Sequence, residues 1–327
     1  MDPALKDRYD RQIRVWGAEA QSRIQTSRVL VMGLHGLNVE VVKNIVLAGM
    51  SVTIQDDTAV KMEDLSFNFF LAPEDIGKST VEAAMPRIHQ LNTYTTVGAE
   101  TRSLKNLDAS FFDPFTVVLM NAKNCTQEDA QRINELCRSS AVKKVFFLSD
   151  VFGDEAVFIS DFGESFQYQL DKKEKKEGAT EGQVTINIQS ISFPPLGAVL
   201  GKAWSELPSK HFPLSTTYVK SRLLMLYRDS HGAGALPSPE SADIFCSWAA
   251  QMLSQHNLDA SAVFAPGELA TLCRTASCVP VVTCSTLGSF LAQEVIKGVS
   301  LSGQPGFNVW VFSCHDYQVR AFPIVPP

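Results

Sequence analysis

The sequence predicts an α/β fold built on a doubly wound, mostly parallel sheet, and three observations carry that prediction. Strands alternate with helices over about the first 150 residues, as βαβ units do. The strands "TVVLM" (Thr116–Met120) and "KVFFLSD" (Lys144–Asp150) are unbroken apolar runs of the kind a parallel sheet buries on both faces. In "VLVMGLHGLNVEVVKNIVLAG", Val29 to Gly49, a buried strand enters Gly33 and then an amphipathic helix, the Rossmann-like strand–turn–helix.

The elements follow in order. From Tyr9 to about Thr26 the residues Tyr9, Ile13, Trp16, Ala20 and Ile24 recur at steps of three or four, predicting one helical stripe with Arg11 and Arg14 on another face. The strand Val29–Met32 precedes a helix from about Leu37 to Ala48, stopped by Gly49. "SVTIQDD" is a short strand ending in Asp56 and Asp57. "STVEAAMPRIHQL" is a helix kinked or broken at Pro86, and "TQEDAQRINELCRSS" is a helix between the two apolar strands.

Near Phe162 the pattern changes. "LDKKEKKEGATEGQ" (Leu170–Gln183) is charged and poor in apolar residues, which predicts a mobile surface loop. "VTINIQSISF" alternates as a strand, and two helices, "TTYVKSRLLMLYRDSHG" and "SADIFCSWAAQMLSQH", flank the link "GAGALPSPE". The helix "VTCSTLGSFLAQEVIKG" carries Leu287, Phe290, Leu291 and Val295 on one face, with Gly298 as its stop. Strands "NVWVFS" and "QVRAFP" follow. The expected division is an α/β body at 1–165, a smaller α+β insert at 166–265, and completion of the body at 266–327.

Composition excludes several classes. A net charge of −6 provides no basic footprint for nucleic acid, and no apolar run has the length to span a bilayer. The opening "MDPALKDRYDRQIRVWG" lacks a signal-peptide core. Seven irregularly spaced cysteines point to reduced thiols in the cytosol or nucleus. Without a His-x-x-x-His pair or a Cys-x-x-Cys clasp, no metal site is expected.

The turn after the first strand departs from its fingerprint. Gly-x-Gly-x-x-Gly requires glycines at 33, 35 and 38, and the chain has Gly33, His35 and Asn38. Gly33 preserves the tight turn. His35 puts a ring where a phosphate would approach, and Asn38 is expected to crowd the helix–strand contact. Alone, the stretch is equally an ordinary βα turn.

Five segments occur in order: "YDRQIRVWG" (Tyr9–Gly17), "KNIVLAG" (Lys43–Gly49), "IGKS" (Ile76–Ser79), "SDVFG" (Ser149–Gly153) and "LAQEVIKG" (Leu291–Gly298). Together they resemble the E1 family, the adenylating enzymes that activate ubiquitin-like proteins and descend from bacterial sulfur-carrier adenylyltransferases. The resemblance implies an E1/ThiF-type adenylation fold. Within the family, the length, short insert and early "YDRQIRVWG" are most similar to the small subunits of the heterodimeric members. The resemblance is nearer to the SUMO branch than to the NEDD8 branch, whose insert is typically much longer.

What the resemblance implies about the site is specific. Active halves carry a full glycine turn, an acidic pair after strand two, an Asn-Arg-Gln-Phe-type segment, a lysine in Ile-Gly-Lys and an acid after strand four. Asp56, Asp57 and Lys78 match, but "EDLSFNFFL" has Phe67 at the arginine position and Asn121 stands at the acid. Gly33, His35, Asn38, Asp57, Phe67 and Lys78 are then degenerate remnants. The chain binds no cofactor, and ATP and Mg2+ belong to a large catalytic partner subunit. SUMO and an E2 conjugating enzyme are indirect partners, in the nucleus and also the cytoplasm. Arg11 corresponds to an arginine that reaches across the dimer to the partner's triphosphate. An obligate interface would exceed roughly 2,000 Å², with the helix at 9–26 and "LAQEVIKG" contributing.

The residues by themselves leave alternatives open. Arg11 is equally an exposed helix residue in a weak ion pair, and Lys78 a helix-start lysine tolerated by Asp75 and Glu74. Cys125, Cys137, Cys246, Cys273, Cys278 and Cys284 lack the surroundings of a thioester-forming thiol. A self-sufficient bacterial-type adenylyltransferase homodimer, a NEDD8-type small subunit, a nicotinamide-dependent oxidoreductase using Asp56 or Asp57 on ribose, and a binding module all remain.

Overall fold

A computed structural model describes residues 3–174, 183–207 and 213–324. The N-terminal segment is three short helices, α1 (Pro3–Arg8), α2 (Asp10–Trp16) and α3 (Ala18–Thr26). The single helix expected over 9–26 is therefore corrected: Gly17 takes φ 89° and ψ 160°, a conformation that glycine adopts freely and that ends a helix. Next come β1 (Arg28–Met32), α4 (Leu37–Ala48), β2 (Ser51–Gln55), α5 (Thr80–Leu91) and β3 (Val97–Glu100). Gly49 stops α4 in the left-handed region at φ 104°. Pro86 lies inside α5 without ending it.

β4 (Val117–Asn121), α6 (Gln127–Ser139) and β5 (Val145–Phe152) complete the parallel part, and β6 (Glu155–Asp161) turns back against β5. Thr126 and Asp129 close a reciprocal capping box at the start of α6, which satisfies amide donors that a helix start leaves free. Periodicity did not reveal β6 because all seven of its residues are buried, so it lacks the alternation of a half-exposed strand.

β7 (Phe166–Glu174) and β8 (Gln183–Ile191) form a separate hairpin. The expected loop at 170–183 is corrected at both ends, which are strand; its middle, 175–182, lies outside the described residues. The helices that follow are α7 (Leu196–Gly201), α8 (Thr216–His231), α9 (Ala242–Gln255), α10 (Ala260–Val263), α11 (Glu268–Thr275) and α12 (Val281–Ser300). β9 (Val309–Ser313) and β10 (Gln318–Phe322) close the chain. Helix α12 runs through Gly298 and stops at Leu301, in the left-handed region at φ 59°. Gly298 has a packing role instead, since a Cβ there would lie 3.1 Å from Val145 and 3.3 Å from Phe162.

The main sheet has the order β10–β9–β6–β5–β4–β1–β2–β3. β3, β2, β1, β4 and β5 are mutually parallel, and β6, β9 and β10 extend them as an antiparallel flap. Alternation in β1 sends Val29 and Val31 into a core with α4, α5 and α12. Leu30 and Met32 enter a second core with α6, α7 and α8. Each such side chain, fully buried, contributes about 1.5–3 kcal/mol. Helices α8 to α11 enclose a third core around Trp204 and Phe245. No described helix is long and apolar enough to cross a membrane. Strand order reverses between β1 and β4, so a crevice opens at their C-terminal ends, where open α/β sheets hold ligands.

Candidate functional site

Gly33, at φ 85°, makes the turn out of β1, and its amide donates to the Gln55 carbonyl at 2.8 Å. The next amide, of Leu34, donates to Asp56 Oδ2 at 2.8 Å, while Asp56 Oδ1 accepts from the Thr58 amide and hydroxyl. Asp56 is thus spent on holding the turn, whereas Asp57 is exposed at the crevice rim. A glycine that the fingerprint spacing overlooked sits at 36. Gly36 takes φ 55°, and a Cβ there would lie 2.4 Å from Val151 Cγ1, so close approach of the turn to β5 excludes any side chain.

Asn38 does not crowd the helix–strand contact, which corrects the expectation. It is fully buried; its Nδ2 donates to the Gly33 carbonyl at 2.9 Å, and its Oδ1 accepts from Ser149 Oγ at 2.9 Å. Where a third glycine would let the elements touch, this amide bonds the start of α4 to the ends of β1 and β5.

The His35 ring is buried and packs edge-on to Phe67, with ring centres 4.6 Å apart. Lys123 Nζ stands 2.8 Å from His35 Nε2, and Nδ1 is buried with no partner among the described residues. Burial, then the charges of Lys123 and Arg228, hold the imidazole well below its ordinary range. Burial also lowers Lys123. Asn121 ends β4, accepts from the Lys123 amide at 2.9 Å, and donates weakly to the His35 carbonyl at 3.5 Å. The crevice between Gly33, Gln55, Asp56, Asp57, Asn121 and Asn124 leaves about 30 Å³, the space of one or two waters. Ligand pockets run to several hundred.

Lys123 was not singled out in the sequence, and it places a cation against the His35 ring, two residues past the end of β4. Only its position two residues beyond Asn121 could have signalled it. Behind it, Arg228 of α8 reaches Asp150 of β5 at 2.7 Å, both nearly fully buried. Arg228 also donates to the Ala122 carbonyl at 3.2 Å. Lys78 is not at the crevice. It pairs with Asp75 at 3.1 Å beside an Arg87–Asp75 bond of 2.7 Å, and the Arg87 guanidinium holds Asp75 below the usual carboxylate range.

His35 sets a pH dependence whose sign follows from its burial. The unfolded chain takes up a proton near pH 6.5 that the folded chain resists. The stability is complete above that pH and is lost as pH falls toward the folded value. Urea midpoints measured from pH 7 to pH 5 should fall in the parent and fall less in His35→Gln. His256, lowered by burial and then by Arg222, retains part of the slope.

Arg11 is exposed on α2 and forms no ion pair among the described residues, whereas Arg14 is held by Asp10 at 2.8 Å. Burial pushes Cys125, Cys137 and Cys284 up to about 12 and Cys273 to about 11, the opposite of what a nucleophilic thiol requires. Among the described residues no cluster of three His, Cys, Asp or Glu side chains could hold a metal ion.

Comparison with known proteins gives a consistent set of relatives. The ThiF family model matches residues 9–326. SUMO-activating enzyme subunit 1 of Xenopus laevis is 31% identical over 93% of this chain and 91% of its own length. The proteins of the same name from Homo sapiens and Danio rerio are 29% and 28% identical, each over 93% of this chain and 90% of their own length.

Proposed function

The chain belongs to the ThiF family, and on that premise we propose that it is the small, non-catalytic subunit of a heterodimeric E1 that activates SUMO. In this reading residues 1–165 and 266–327 form a pseudo-adenylation body, and 166–265 an insert without a thioester-forming cysteine. A larger ThiF-type partner binds ATP and Mg2+, adenylates the modifier's C-terminus and takes it up as a thioester. The E2 is met through that partner, in the nucleus and also the cytoplasm.

The observation that carries the reading is the small crevice at the end of β1, with about 30 Å³ of free space. Phe67 and the His35 ring pack together beside the turn, and neither offers a phosphate the forked charge of an arginine. Asn121 supplies no carboxylate for a metal ion. The residues present do not fit Mg-ATP, although the scaffold around them is intact. Exposed Val15 on α2 and Val281, Val282 and Phe290 on α12 support a partner interface, since such apolar groups gain by leaving water.

Arg11 supplies the chemistry this chain retains. A carboxylate attacking an α-phosphate expels pyrophosphate, so negative charge accumulates on the leaving group. A guanidinium delivered to that charge stabilises the transition state. The direct test is equilibrium nucleotide binding by the purified chain. No saturation with millimolar Mg-ATP is expected, with exchange activity emerging only when the large subunit is added. Stoichiometric ATP binding by this chain alone would overturn the reading in favour of a self-sufficient adenylyltransferase.

A further inference from the structure

Helix α2 carries Arg11 yet buries none of its own residues fully; Trp16, at its C-terminal end, packs against the main apolar core. Its other attachments are polar and lie chiefly at its two ends. Tyr9, just before α2, is 1% exposed. Its hydroxyl accepts from Asn92 Nδ2 at 2.7 Å, and the same amide group donates to the Val46 carbonyl at 2.8 Å. Gly49 lies against the ring, and a Cβ there would come within 2.9 Å of the Tyr9 hydroxyl. This corner therefore requires glycine for space as well as for its positive φ.

The far end is tied by a second relay. Trp16 Nε1 donates to Gln21 Oε1 at 2.8 Å, and the fully buried Gln21 donates to the Ala48 carbonyl at 3.1 Å. Midway, Gln12 Nε2 reaches the Leu47 carbonyl at 3.5 Å. Val46, Leu47 and Ala48 are the last residues of α4, where helix carbonyls run short of internal partners, although the Val46 carbonyl also accepts from the Gly49 amide at 3.0 Å. Side-chain amides from Asn92, Gln12 and Gln21 converge on that end, while Arg11 stays in solvent.

We infer that Tyr9, Asn92 and Gln21 are positioning residues for Arg11, mooring α2 to the C-terminal end of α4 so that the guanidinium is presented at a fixed place. The inference rests on the proposed role of Arg11 at a partner's phosphates. A charged group that must meet a phosphate across an interface acts only when its backbone is held closely.

The test is a double-mutant cycle in the reconstituted heterodimer. Tyr9→Phe keeps the ring against Gly49 and removes the acceptor; Gln21→Met keeps the volume and removes the relay. Each is measured alone and with Arg11→Ala, by ATP–pyrophosphate exchange and by amide hydrogen exchange over residues 10–17. Each mooring variant should lower kcat about fivefold and speed amide exchange in α2, with the heterodimer intact. Neither should lower kcat further once Arg11 is alanine, because residues acting through one group are not additive. Additive losses, or an undiminished kcat in Tyr9→Phe where Arg11→Ala is slow, overturn the mooring and leave the arginine's role standing. An Arg11→Ala heterodimer with full activity overturns both.

Discussion

Replacing Arg11 by alanine should slow ATP–pyrophosphate exchange by the heterodimer roughly ten- to a hundredfold, on a loss of about 1.5–3 kcal/mol from one charge-assisted contact. The size follows from exposure. Arg11 is exposed and has no ion pair among the described residues, so the substitution removes little packing and leaves no buried group without a partner. An exposed arginine with a purely local role contributes about 0–1 kcal/mol at most, and to stability rather than to rate. The two possibilities therefore separate on different instruments. Exchange rate reports the transition-state contact, and sedimentation of the complex reports the interface. Unchanged exchange with intact complex would remove the arginine from catalysis.

Arg228→Ala should destabilise the chain itself by about 3–5 kcal/mol, the cost of leaving a buried charge uncompensated. Arg228 is 1% and Asp150 2% exposed, and their atoms meet at 2.7 Å. Asp150 Oδ1 also accepts from the Val151 amide at 3.0 Å. With arginine removed, the carboxylate keeps the Val151 amide but loses its charged partner, and the Ala122 carbonyl loses the Arg228 donor. A drop in melting temperature on the order of 10 °C is expected. The double variant Asp150→Asn/Arg228→Met should recover most of it, because replacing both charges removes the desolvation cost together with the attraction. A single-variant loss below about 1 kcal/mol would mean that water reaches the pair, contrary to its burial.

Much of the framework was legible before any coordinates. The turn from β1 through Gly33 into α4, and the stop of α4 at Gly49, follow from an apolar run, a helical stripe and a glycine at each end. That residue 67 is a phenylalanine, with no charge to offer a phosphate, is likewise a matter of residue type. Errors fell where one local signal had two meanings. A stripe of apolar residues runs on through Gly17 because Trp16 of α2 and Ile24 of α3 both join the same apolar core, and periodicity does not register the break in backbone direction between them. Gly298 resembles a helix stop, but its lack of a side chain serves the contact with Val145 and Phe162. Asn38 resembles an obstruction, but its amide has a partner on each side.

Residue order alone specifies the class of fold, the lack of glycine at 35 and 38 and the phenylalanine at 67. These depend on backbone periodicity and on the chemistry of single residues. Folding in three dimensions brings Lys123 to His35 across 88 positions and Arg228 to Asp150 across 78, and binds Tyr9 to an amide 83 residues away. Sheet register and helix crossings bring such pairs together. Those arrangements arise from packing the whole chain at once, and no local pattern records which distant partner a buried polar group will find.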